Sequence, residues 1–121
     1  MTEDDFERQS ASEISRGYVI WASDPFKSES DAARPLIVLN NETHPFDGEQ
    51  WITAAVSTTP RPQALELTDE AWIDGTLPQC SYAYPWAVLS PRIERVDYVV
   101  GRTTEPFVDE IVPEVHGYVE A

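Results

Sequence analysis

The chain is poor in the residues that usually hold metals and cross-links. One cysteine, Cys80, excludes an internal disulfide framework, and with only two histidines no zinc-binding cluster is suggested. No metal or cofactor is therefore expected. No uninterrupted apolar run approaches the roughly 20 residues that a helix needs to cross a bilayer. The opening stretch MTEDDFERQS is acidic and polar, unlike a signal or transit peptide. These absences make a chain without membrane contact, resident in the cytoplasm, the expectation. Cys80 stands just before an apolar stretch and is expected to pack rather than to react.

Positive charge is also scarce. There are 22 acidic residues against 8 basic ones, for a net charge of −14, and Lys27 is the sole lysine. A surface of this kind stays hydrated in concentrated salt. At roughly 1 M ionic strength the screening length is about 3 Å, so self-repulsion barely acts. The composition suits a salt-in halophile; an ordinary acidic protein and a nucleic-acid mimic that binds basic partners are the other readings. The charge is unevenly spread. Residues 1–15 carry −4 and residues 105–121 carry −5, so the middle of the chain holds every arginine but Arg8 and the smaller share of the excess.

At 121 residues one domain is expected. Residues 1–15 lack an apolar period and read as a disordered or frayed leader before a folded unit over 16–121. Gly17–Ala22 and Pro35–Asn40 are rich in Val, Ile, Leu, Tyr and Trp and read as strands. A polar loop, Ser23–Ala33, joins them. Asn41–Gly48 is a turn-rich connection, and Glu49–Thr58 reads as a central strand. Gln63–Leu67 makes a short strand and Thr68–Thr76 a single helical turn. Two more strands fall within Cys80–Leu89, interrupted by Pro85, and over Arg95–Gly101. From Thr104 the period becomes helical, with Thr104 as N-cap and Glu105 and Pro106 in the first turn. Pro113 is expected to kink or shorten that helix. The fold class is mainly β with a C-terminal helix, five or six short strands curling into a small barrel.

Particular residues sharpen this outline. Gly17-Tyr18-Val19-Ile20-Trp21, then Asp24-Pro25, Glu29, Arg34-Pro35 and Leu36-Ile37-Val38-Leu39, resemble the opening of the MazF/PemK family of toxin endoribonucleases. There a Gly-x-apolar-x-Trp strand leads through an acidic loop to Arg-Pro and an aliphatic strand. Val56-Ser57-Thr58-Thr59 resembles the family's strand-end apolar-x-Thr-Ser/Thr element. The likeness spans about residues 16–119 and its specific motifs fall within 17–60. It implies an SH3-like barrel of the MazF/PemK/CcdB type, a symmetric dimer, an antitoxin protein as partner and single-stranded RNA as substrate. The loop before Arg34 lacks the family's usual glycine and is one residue shorter. Pro85-Trp86 stand where many members carry Asp-Gln, so no RNA sequence preference carries over.

The chemistry expected is RNA cleavage by its own 2′-hydroxyl. That reaction needs a base, an acid for the leaving 5′-oxygen and positive charge at the phosphorane. A carboxylate and a guanidinium on one loop, Glu29 and Arg34, can supply a base and a bidentate phosphate clamp. A strand-end threonine can donate to a phosphate oxygen. The resemblance gives Arg34 and Thr58 the catalytic roles, with Glu29 beside them, and implies a 2′,3′-cyclic phosphate and a 5′-hydroxyl without a metal. Thr59, Arg61, His44 and Trp86 are candidate RNA contacts, Trp86 through base stacking. The bland alternatives are a surface ion pair for Arg34, an ordinary strand-end Thr58 and a solvated Glu29. A non-catalytic module that binds a protein or regulates on the same scaffold, as CcdB-like relatives do, is the competing function.

Overall fold

The computed structural model describes residues 13–23 and 33–120. Among them, strands run over Tyr18–Ser23 (β1), Ala33–Val38 (β2), Thr53–Ser57 (β3), Leu65–Glu66 (β4), Trp72–Gly75 (β5), Tyr82–Leu89 (β6) and Val96–Thr103 (β7). A helix, Glu105–Val119 (α1), follows. The seven strands form one sheet in the order β4-β6-β3-β2-β1-β7-β5, with every paired neighbour antiparallel. The sheet curls into a half-barrel.

Because the central strands bury both faces, they read as continuous apolar runs. On one side Val19, Ile37, Ala54, Val56 and Ala83 pack with Phe107, Val108 and Ile111 of α1. On the other, Ile20, Ala22, Leu36, Val38 and Ala55 pack around Trp51, which is fully buried. Ile14, within the expected leader, is also buried there. Alternate residues of β1, β2 and β3 thus feed two separate cores, as period-two geometry requires.

Two local signals are realised closely. Thr104 caps α1, its hydroxyl accepting from Phe107 N at 3.3 Å. Gly17 adopts φ +97° and is stitched on both sides, its N donating to Val38 O at 2.8 Å and its O accepting from Thr103 N at 2.7 Å. A Cβ there would press on Thr103 O at 3.0 Å, so the motif's leading glycine has a steric reason.

Three expectations are corrected. Among the described residues there are seven strands, not five or six. Thr68–Thr76 is not a lone helical turn: a 3-10 turn at Asp69–Ala71 leads into the edge strand β5, paired with β7. Pairing across the sheet and the packing of Trp72 on the helix-side core override the weak local pattern there. Pro113 does not shorten α1, which continues to Val119. Pro113 is exposed, and solvent can satisfy the carbonyl that its missing N–H leaves unbonded.

Where β5 crosses β7, Gly75 (φ +75°) and Gly101 meet backbone to backbone, and a Cβ on Gly75 would fall 2.3 Å from Val100 O. Gly75→Ala is expected to cost about 2 kcal/mol or more. Ile111→Ala, which empties a fully buried site between α1 and the sheet, is expected to cost about 2–5 kcal/mol. Urea midpoints measured in concentrated KCl check both. An unchanged midpoint for Ile111→Ala would mean that α1 does not carry the core assigned to it.

Candidate nucleic-acid interface

The register of the central strands sets the site. Ile20 pairs with Leu36, Leu36 with Ala55, and Ala55 with Tyr84, so these four form one rung across β1, β2, β3 and β6. One rung further, Ala22 pairs with Arg34 and Ser57 with Tyr82. Continuing the β2–β3 register by two residues sets Arg34 opposite Ser57. Ala22, Leu36 and Ala55 belong to the core around Trp51. Arg34, Ser57, Tyr82 and Tyr84 therefore share the face of the sheet opposite α1. Arg34 is half-buried, with its Nε withdrawn from solvent.

Thr58 immediately follows β3, at the same end of the sheet as Arg34. Thr58, Thr59 and Arg61 are exposed on the turn that leaves the strand. That turn is held at two points. Ser57 Oγ accepts from Thr59 N at 3.2 Å, and the Tyr84 hydroxyl donates to Thr59 O. The first is a serine turn that relieves a backbone donor locally. The second ties the turn to β6.

β6 carries an unusual feature beside this turn. Its pairing with β3 jumps from Tyr84↔Ala55 to Val88↔Ala54, so Pro85, Trp86 and Ala87 are inserted between adjacent rungs. Pro85 is fully buried, whereas Trp86 is 41% exposed. The Trp86 ring stacks on Tyr84 with centroids 4.6 Å apart and planes 18° from parallel. Proline has no N–H to lose from the ladder, which suits a bulge. A second stacked pair, Trp21 with Tyr98, lies across β1 and β7 at 6.1 Å.

The candidates named from sequence separate accordingly. Arg34 and Thr58 lie at the same end of the β2–β3 pair, Thr59 and Arg61 follow on the turn, and Trp86 stands in the insertion further along β6. Glu29 lies outside the described residues. His44 sits in the connection from β2 to β3, at the opposite end of that hairpin. Its Nδ1 accepts from Phe46 N at 3.0 Å and its ring meets Phe46 edge-on. His44 thus serves its own turn and is not brought to Arg34. Sequence reasoning missed Ser57, Tyr82 and Tyr84. The aromatic cluster Tyr82-Ala83-Tyr84-Pro85-Trp86 was the available signal, but only the register reveals that its tyrosines face the arginine. Cys80 is exposed rather than packed, because the stretch before β6 runs over the surface.

Cys80 Sγ is hydrogen-bonded to Tyr82 Oη at 3.4 Å. That bond, followed by desolvation and by the charges of Cys80 and Glu66, raises the Tyr82 phenol above its ordinary value of 10.0. Tyr82 is therefore neutral at physiological pH and places no negative charge on the arginine's rung. The associated stabilisation is present below the unfolded-state value and is lost as pH rises through the raised one. Cys80→Ala is expected to move the Tyr82 midpoint down towards 10, read by ultraviolet absorbance against Tyr82→Phe. An unmoved midpoint would remove the thiol as the cause.

No protein-family model matches the chain, and no curated protein matches its sequence. Solved structures do match its shape. An endoribonuclease in complex with its cognate antitoxin from a mycobacterial species superposes with TM-score 0.64 at 12% identity, covering 86% of this chain and 90% of that one. The Mycobacterium tuberculosis toxin MazF-mt6 gives 0.61 at 17% identity, over 84% and 94%. The MazE–MazF complex of Deinococcus radiodurans gives 0.64 at 12%, over 88% and 95%. The curled half-barrel with its C-terminal helix is thus the MazF-type toxin fold, as the sequence motifs implied.

Proposed function

We propose that this chain is a toxin of the MazF type, a metal-independent endoribonuclease that cuts single-stranded RNA. The observation that carries the reading is the strand register: it sets Arg34 opposite Ser57, one residue from Thr58, on a scaffold shared with MazF toxins. In this reading Arg34 clamps the scissile phosphate in two-pronged fashion and stabilises the charge of the phosphorane. Thr58 donates its hydroxyl to a phosphate oxygen, and Thr59 and Arg61 hold the neighbouring backbone. Glu29 takes the proton from the 2′-hydroxyl, which attacks the adjacent phosphorus and expels the 5′-oxygen, and the leaving oxygen takes a proton from water. The products are a 2′,3′-cyclic phosphate and a 5′-hydroxyl, and DNA is spared for want of the nucleophile.

Two structural neighbours are toxins held by their antitoxins, which supports an antitoxin as the partner here. We extend the reading to a homodimer, since pairing covers exposed strand edges. The acidic surface suits cytoplasmic work in concentrated salt. A protein-binding role on the same scaffold is the second reading, favoured by the net charge of −14, which repels a polyanion in dilute salt. Growth arrest that survives Arg34→Ala and Thr58→Ala together would select it.

The direct test is cleavage of a structure-free RNA in multi-molar KCl with EDTA. Arg34→Ala is expected to slow cleavage by about 100-fold or more, the scale for losing one donor to a developing anion, and Thr58→Ala to slow it less. The cut ends should be a cyclic phosphate and a free 5′-hydroxyl. Equal rates for wild type and Arg34→Ala, or no cleavage by either, would sink the nuclease reading.

A further inference from the structure

We propose that Tyr84 and Trp86 form a two-ring platform that stacks an unpaired base of the substrate RNA, and that Tyr84 also positions the Thr58–Thr59 turn. The inference rests on the RNA reading above and deepens it. A tryptophan that is 41% exposed leaves a large apolar ring in water, yet this ring is not loose. It lies nearly flat on Tyr84, and Pro85 beside it is buried, so the inserted residues are anchored rather than mobile. Tyr84 is fixed in turn by its hydroxyl, which donates to Thr59 O. The platform is therefore preorganised and mechanically joined to the turn that carries Thr58.

Its position suits a nucleotide beside the scissile phosphate. Tyr84 lies two strands from Arg34 and one rung away, on the same face. Two strand spacings make about 10 Å. The acids of α1 project from the other side of the sheet, where Phe107, Val108 and Ile111 bury its apolar stripe. A strand whose phosphate sits on Arg34 thus meets the Tyr84–Trp86 stack at its next base, with Glu66 on the edge strand beyond Tyr82.

Charge decides why stacking matters here. With −14 overall and molar salt outside, counterion release adds little to RNA affinity. Contact between a base and an indole face is not screened in the same way, and every base has such a face. The platform selects for an unpaired base rather than for a sequence, because a base inside a duplex has both faces covered by its neighbours.

The test uses a short all-deoxyribose oligonucleotide, which lacks the 2′-hydroxyl and cannot be cut, labelled for anisotropy in molar KCl. Trp86→Ala is expected to weaken its binding between about 5-fold and about 150-fold, while Trp86→Phe recovers most of it. Tyr84→Phe keeps the stack and frees Thr59 O. It is expected to lower kcat on RNA with KM little changed, a split that a merely structural tyrosine would not produce. Oligonucleotide binding by Trp86→Ala equal to wild type would overturn the platform, whatever happens to cleavage. So would loss of binding to a protein partner with oligonucleotide binding intact, which would give Trp86 to that partner. If wild type binds the oligonucleotide through Trp86 but never cleaves RNA, the platform stands and the nuclease reading falls.

Discussion

The pairing of β2 with β3 is the constraint on which the remaining geometry depends. Leu36 and Val38 point into the core around Trp51, and Ile37 and Leu39 into the core beneath α1. In a strand buried on one face, a slip by one residue exposes the apolar set. Here a slip would exchange the contents of two differently shaped cores, and it would carry Arg34 off its rung. The same register runs through Ala55 to Tyr84, so the aromatic cluster and the arginine are located by one ladder. The side chains proposed to act on RNA therefore need no contacts of their own to find one another.

The second organising feature is the division of labour between the faces of the sheet. One face is closed by an acidic helix with an apolar stripe. The other is closed near its middle by Trp51 and ends in arginine, serine, threonine and tyrosine. Segregation of this kind reconciles a strongly acidic chain with a proposed polyanionic substrate. Excess charge that keeps the protein hydrated is largely carried by α1 and by the first residues of the sequence, and every arginine but Arg8 falls between. Tyr82 adds no charge to that middle region, since its phenol is pushed above its ordinary value of 10.0.

Much of the fold was legible in the residues themselves, for identifiable reasons. β1 and β2 announce themselves by Val, Ile and Leu and β3 by the small apolar run Ala54-Ala55-Val56, because both their faces are buried. Thr104 with Glu105 and Pro106 marks the start of α1 through local capping chemistry. β5 was hidden because Ile73, Asp74 and Gly75 are exposed on a sheet edge, so no apolar pattern records their pairing. Pro113 did not end α1, because it is exposed and solvent can take up the carbonyl it leaves unbonded. At the candidate site, Arg34 and Thr58 stood out by motif, whereas Tyr84 did not. Its role comes from a hydrogen bond to a residue 25 positions away and from a bulge in the pairing, and neither leaves a local trace. His44 was offered from a turn-rich loop, and that loop lies at the end of the hairpin opposite Arg34.

The insertion in β6 has an evolutionary corollary. Its three residues sit between two rungs that are each fixed by their own pairing, so they form a cassette. Exchanging the side chain at its exposed position leaves both cores untouched. A lineage of such proteins could therefore change the side chain displayed at this spot by rewriting a few codons, keeping both cores and the β2–β3 register unaltered.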